Sequence, residues 1–490
     1  MRRLAPALAL AAALLGAPSG TARAGEPVLA DPDFGSWADG RPTAWRLETG
    51  AVTGEGKPSR VERGEEGGVA LAGEASTGTW RMLAQTVAVP PGTTVRLRFE
   101  ARARGLRLDP GQRQNAYVGL VERTGERLDV ASLRVEAGFS ETWAPCDVVA
   151  RVRGDRVDVV AFLSTTGRLE ARRLRLDVVP PEASFDLLVD HVDRYYSFLS
   201  LRGVAWRTHA ASFRAAALAA RTPEAFAAVA GRLLAALKDP HVWVRGPDGK
   251  TTVPGAGPVD PGFDARATAQ RLVGVRAAGK AGFVGSAAAR VGYAAIGALP
   301  SDPEASKALL DAVASVLPTD GALVLDLRPC GGGDERVALA LAGRLTDRPR
   351  VYARRRVRSG PGPDDFSPWK DAVLWPTGGT PFPGPVVVIL GPACMSSGEG
   401  LAQMLAVLPQ VTTVGRPTRG ASGNPMPLDL PVGVTVSFSR WQDALPDGTL
   451  LEGHGVVPTV PVEGGEGDPP LRRAVELALD ALNRRPAPGR

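Results

Sequence analysis

Five short stretches of this 490-residue chain hold the groups that acyl transfer would use. Residues 385–405, PVVVILGPACMSSGEGLAQML, set Ser396 and Ser397 between an apolar run and a helix-forming run. Residues 323–335, LVLDLRPCGGGDE, end another apolar run in Gly331, Gly332 and Gly333. Such a turn leaves backbone N–H groups free and lets another chain approach closely. His241 follows the helical pattern of LLAALKDPHVWVR (233–245). Glu452 lies in DGTLLEGHGVVPTVPV (447–462), beyond the Gly-rich loop VGRPTRGASGNP (414–425). A serine hydroxyl is a poor nucleophile unless a base takes its proton as it attacks. Neutral imidazole does this near pH 7 and then returns the proton to the leaving group. Each stretch also has a plain structural reading. Ser396-Ser397-Gly398-Glu399 fits a helix capping box, the glycines fit an ordinary turn, and GTLLEGHG fits a hairpin with Glu452 exposed.

The elements that would hold these groups can be read from periodicity. From Val291 onward, strand and helix patterns alternate: GYAAIGAL, ASKALLDAVASVL, GALVLDLRP, ERVALALAGRL, PVVVILGP and SGEGLAQMLAVL. Uninterrupted apolar strands imply a sheet covered on both faces. Before it, FDLLVDHVDRYYSFL and TPEAFAAVAGRLLAAL repeat apolar residues at three and four, with Thr222-Pro223-Glu224 as a helix start. Residues 25–180 alternate apolar and polar positions between Gly, Pro and Asp turns, the signature of an all-β sandwich. The chain therefore divides into a leader (1–24), a β-sandwich (25–180), a helical subdomain (181–245), a Gly/Pro-rich connection (246–290), an α/β core (291–465) and a C-terminal helix and tail (466–490).

Composition sets outer bounds. A hydrophobic fraction of 44% with 22% charged residues describes a globular chain too long for one core. The net charge of +6 is dispersed, without a basic tract interleaved with aromatics, so nucleic acid is not an expected partner. The densest basic run, ARRRVR (353–358), reads as a solvated strand or loop. MRR, an apolar run and Ala22-Arg23-Ala24 form an expected secretory signal peptide, and the run is too short to span a bilayer. Export to the periplasm, cell surface or medium follows as an expectation, with no membrane span. Cys146, Cys330 and Cys394 allow at most one bridge, Cys330 to Cys394 being the pair considered. They supply no zinc spacing, and neither metal nor cofactor is expected.

Taken together and in order, the DLR strand with its glycines, the serine run ending in Glu399, the VGRPTRG loop and the closing GHGVVP segment resemble one family. Residues 184–465 are similar to the carboxy-terminal processing (tail-specific) proteases and the tricorn core protease. That resemblance implies an α/β core of crotonase/ClpP-like type, a serine peptidase mechanism and a protein or peptide substrate. It puts the nucleophile on Ser396. The lysine base of the carboxy-terminal processing branch is replaced here by Ala421, which points to the tricorn-like branch. In that branch the base falls on His241 and its acid on Glu452, while Pro240 stands where the tricorn enzyme has a further serine.

On this reading, Gly332 (with Gly331 as alternative) and Ser397 lend backbone amides to the oxyanion, and Glu399 caps the helix. His454, two residues from Glu452, is the rival base; His191 and His209 read as structural. The segment 246–290 has no room for an embedded peptide-binding domain, so recognition by strand addition is expected instead. The N-terminal region resembles carbohydrate-binding jelly-roll modules, which makes a glycan a candidate ligand through Trp37, Trp45, Trp80, Trp143 or Tyr117. Rival functions are a catalytically silent glycan- or peptide-binding protein, and an esterase or amidase using the same triad.

Overall fold

The structure is a computed structural model and describes residues 29–51, 59–73, 79–107, 116–124, 127–134 and 141–484. The leader expected at 1–24 lies outside the described residues.

Two antiparallel five-stranded sheets form the N-terminal part. Their order is 144–151, 94–107, 166–178, 69–73, 60–63 in one, and 46–51, 79–88, 156–163, 116–124, 127–134 in the other. Along Thr94–Arg107, Val95, Leu97, Phe99 and Ala101 turn inward while Arg98 faces water, the period of two that a half-buried strand requires. Leu83 and Val159 from the opposite sheet complete this core. All five rings considered for sugar stacking have protein partners. Trp45 stacks on Phe34 at 4.6 Å and Tyr117 on Phe162 at 4.8 Å, while Trp80 leans on Phe162 at 5.8 Å. Trp143 lies under the guanidinium groups of Arg102 and Arg172 at 4.6 and 4.0 Å, and Trp37 under that of Arg63 at 5.2 Å.

A seven-stranded sheet organises the C-terminal part, in the order 273–277, 282–288, 291–296, 322–326, 386–390, 411–415, 460–461. The first two pairings are antiparallel and the rest parallel. Leu323, Leu325, Val386 and Val388 pack on one face with Leu401, Leu405 and Leu341 from the crossover helices. Ala322, Val324, Val387 and Ile389 pack on the other with Leu471, Ala474 and Ala478 of the last helix, Pro469–Asn483. A strand apolar on every residue is thus explained by two covers, one for each parity. The stretch 246–290, expected as a Gly/Pro-rich connection, carries the edge strand of this sheet, Val273–Ala277, and its antiparallel neighbour, Gly282–Ala288. Gly279 turns the hairpin between them with φ 61°.

The helical segments 184–195 and 223–234 stand between the two parts, and Thr222 caps the second by accepting from the Ala225 amide at 3.2 Å. A smaller sheet decides where the next residues go. Trp243–Arg245 pairs with Thr435–Ser439 (Trp243 opposite Ser437), which carries His241 to a distant part of the chain. Residues 353–357 of the basic run lie on the strand Arg350–Val357, where Arg354 is exposed but Arg355 and Arg356 are half-buried. Arg355 bonds Glu335 from within the fold and Arg358 is buried, because their aliphatic stems and planar heads cover Tyr352, Trp441 and Phe366. Among the described residues no helix is long and apolar enough to cross a membrane, and no cluster of metal-ligating side chains occurs.

Candidate active site

The buried strand Val386–Leu390 leads through a tight turn into the helix Ser397–Ala406, and Ser396 sits at the bend with φ 57° and ψ −132°. A non-glycine residue there stores roughly 1–3 kcal/mol of strain and persists only where its surroundings over-determine it. They do. The Ser396 amide donates to the Ala421 carbonyl at 2.8 Å, and its own carbonyl accepts from Glu399 and Gly400 at 2.9 and 3.1 Å. Met395 donates to the Cys330 carbonyl at 3.0 Å, tying this turn to the glycine turn after Ala322–Asp326. Ser397 adds a second tie, its hydroxyl donating to the Gly333 carbonyl at 2.8 Å. Ser397 Oγ is therefore engaged in structure, whereas Ser396 makes no side-chain cap bond.

Gly332 has φ 96°, and a Cβ there would stand 2.7 Å from the Ser396 Cβ and 3.0 Å from the Ser397 amide nitrogen. Only glycine allows that approach. The neighbouring Gly331 amide donates to the Gly297 carbonyl at 3.1 Å, so the alternative oxyanion donor is already occupied. Burial pushes the Cys330 thiol up to about 11. Cys330, Cys394 and Cys146 are all buried free thiols.

The capping box does not form. Glu399 turns inward instead and accepts from Thr418 Oγ1 at 2.5 Å, the Gly420 amide at 2.6 Å and the Ala421 amide at 2.7 Å. Burial nevertheless pushes its carboxyl up to about 7. Thr418 Oγ1 in turn accepts from the Val456 amide at 2.7 Å, and Gly453 donates to the Gly420 carbonyl at 2.8 Å. The loop 418–422 thus links Ser396 to the segment carrying Glu452. A local motif predicted the helix cap; partners far along the chain decide the side chain's actual use.

His241 is buried, and neither ring nitrogen has a hydrogen-bond partner among the described residues. Burial holds its imidazole below the usual histidine range, opposed by Asp239 and assisted by Arg419 of the loop 418–422. Glu452 is also buried, so it is not the exposed hairpin residue that GTLLEGHG allowed. Its Oε1 is ion-paired with Arg202, and its Oε2 has no partner among the described residues. Burial and the nearby Asp239 carboxylate push it up to about 8 against the pull of Arg202 and the Ser422 amide. His454 is exposed, with Nδ1 3.3 Å from the Glu452 carbonyl. His191 and His209 hold main-chain carbonyls, Leu187 at 3.1 Å and Leu233 at 3.0 Å. Sequence reasoning missed Asp239, Arg202 and Ser439, although Asp239 stands two residues before the histidine it supports.

Residues 290–462 match the sequence model of peptidase family S41. A crystal structure of a peptidase-like protein from Parabacteroides merdae superposes with a TM-score of 0.53 at 22% identity, covering 62% of this chain and 97% of that one. The photosystem II D1 C-terminal processing protease aligns over 61% of this chain and 97% of its own, at 18% identity and a TM-score of 0.39. Mature CPAF complexed with lactacystin aligns over 62% and 99%, at 13% identity and a TM-score of 0.45. No curated protein matches the chain.

Proposed function

Because the core at residues 290–462 is that of peptidase family S41, a serine-type peptidase, we propose that Ser396, His241 and Glu452 hydrolyse peptide bonds through an acyl-enzyme. The observation that carries this reading is the backbone of Ser396, strained at a strand-to-helix bend with Gly332 packed against its Cβ. Nucleophiles are presented on such bends because the hydroxyl then projects from the end of the sheet. His241 takes the hydroxyl proton as Oγ attacks the scissile carbonyl, then delivers it to the departing amine. Glu452 stabilises the charged imidazole. The Gly332 and Ser397 amides receive the oxyanion, and losing one such donor costs about 10²–10³ in rate.

Glu452 can do this only when ionised. Its carboxyl lies near 8, so kcat/KM is expected to climb with pH through about 8. Arg202 favours the ionised form, so Arg202→Met moves that climb to higher pH; a profile of peptide turnover against pH for both proteins checks it. An unmoved profile means that another group sets the limb.

The reading predicts turnover of casein or a fluorogenic peptide that disappears in Ser396→Ala and persists in Ser397→Ala. Hydrolysis of a nitrophenyl ester with no peptide cleavage would make the protein an esterase instead. The leader at 1–24 leads us to propose export, and fractionation of cells carrying the full chain tests it. The sandwich is taken as an accessory domain. Sugar stacking forms no part of the proposal, since its candidate rings are already partnered by protein.

A further inference from the structure

We propose that Asp239 is the residue that positions His241, holding the imidazole through Nδ1 so that Nε2 is presented to Ser396, with Glu452 acting from farther away. This rests on the Ser396–His241 reading above. Asp239 is fully buried. Its Oδ1 accepts the His241 backbone amide at 2.8 Å and stands 3.8 Å from His241 Nδ1. Its Oδ2 accepts from Ser439 Oγ at 2.7 Å. Ser439 ends the strand Thr435–Ser439 that pairs with Trp243–Arg245, so one small sheet fixes both the carboxylate and the segment leaving the histidine. The preceding Lys238 adopts a left-handed φ of 48°, which bends the chain so that Asp239 folds back under residue 241.

Glu452 is engaged elsewhere. Its ion pair is with Arg202, from the short helix Leu199–Arg202, and not with the imidazole. Closing the Asp239–Nδ1 gap to hydrogen-bond length needs a ring movement of about 1 Å. As the Ser396 Oγ–carbon bond forms, the hydroxyl proton passes to Nε2, and the Nδ1–H stays on the ring, bonded to Oδ1. The resulting imidazolium is stabilised by a full carboxylate whose second oxygen is already satisfied by Ser439. When the carbon–nitrogen bond breaks, the same proton leaves on the amine.

The charged groups acting on His241 are Asp239, which favours the protonated ring, and Arg419, which opposes it. The ring titration of His241, followed by NMR, is therefore expected to move to lower pH in Asp239→Asn, whereas the rising kcat/KM limb belongs to Glu452. At the same time kcat falls by about 10²–10⁴-fold with KM nearly unchanged. A purely structural Asp239 would lower activity without moving that titration.

A second readout does not depend on turnover. The downfield proton resonance of a hydrogen-bonded imidazole Nδ1–H is expected in the parent and in Glu452→Gln, lost in His241→Ala and Asp239→Asn, and shifted in Ser439→Ala. Should Asp239→Asn not fold, the Ser439→Ala and Glu452→Gln spectra decide. Loss of the resonance in Glu452→Gln with none of it disturbed in Ser439→Ala overturns the proposal. Labelling by a fluorophosphonate that survives Ser396→Ala would instead overturn the underlying reading, whatever Asp239 does.

Discussion

Replacing His241 by alanine is expected to lower kcat for peptide hydrolysis by about 10⁴–10⁶-fold, in the range met when a serine hydrolase loses its base. KM should change little, because the imidazole acts on the proton in flight and not on the bound substrate. The rival histidine provides the control. His454 is exposed and its ring nitrogen approaches only a main-chain carbonyl, so His454→Ala should keep turnover within a few-fold. Residual activity of the two variants in the same assay decides between them, and equal losses would mean that neither is a dedicated base. The physical reason for choosing His241 is its surroundings. Buried with both nitrogens unbonded and held below the ordinary range, it is a neutral acceptor at pH 7.

The second large effect belongs to a residue that touches no substrate. Glu399→Ala is expected to destabilise the protein by about 3–5 kcal/mol, since it strips a buried acceptor from two amides and a hydroxyl at about 1–3 kcal/mol for each donor left unsatisfied. Activity should fall with it, by about 10–10³-fold, because the Ala421 carbonyl that holds the Ser396 amide loses its anchor. Urea unfolding and peptide turnover measure the two losses. Glu399→Gln separates charge from shape. The folded carboxyl lies near 7, above its value of 4.5 when unrestrained, so the folded state binds the extra proton between those limits. Stability then falls as pH rises from about 4.5 to about 7 and is flat above. The glutamine variant should lack that slope.

How far the site was legible follows from the range over which each residue finds its partners. The strands 322–326 and 386–390 were readable because short apolar runs rich in Val and Leu, bounded by Gly and Pro, suit a sheet covered on both faces. The turn glycines were readable because a triple glycine after a buried strand marks a close approach, and Gly332 makes one against Ser396. Glu399 was misassigned, since the sequence offers a local cap while the fold offers donors 19, 21 and 22 residues on. Arg202 was invisible, because its partner Glu452 lies 250 residues away and no short pattern couples them. Asp239 was in plain view in KDPH, and its two-residue offset from an imidazole was the signal available. The sandwich aromatics were visible as candidates, but only packing decides whether a ring face is free.

Mass-spectrometric mapping of the adduct left by a fluorophosphonate on the intact chain tests the assignment of the nucleophile. The account predicts a single phosphonylated residue, Ser396, formed in the parent and in Ser397→Ala and suppressed in His241→Ala. An adduct on Ser397, or peptide turnover that continues while Ser396 stays unmodified, would contradict it.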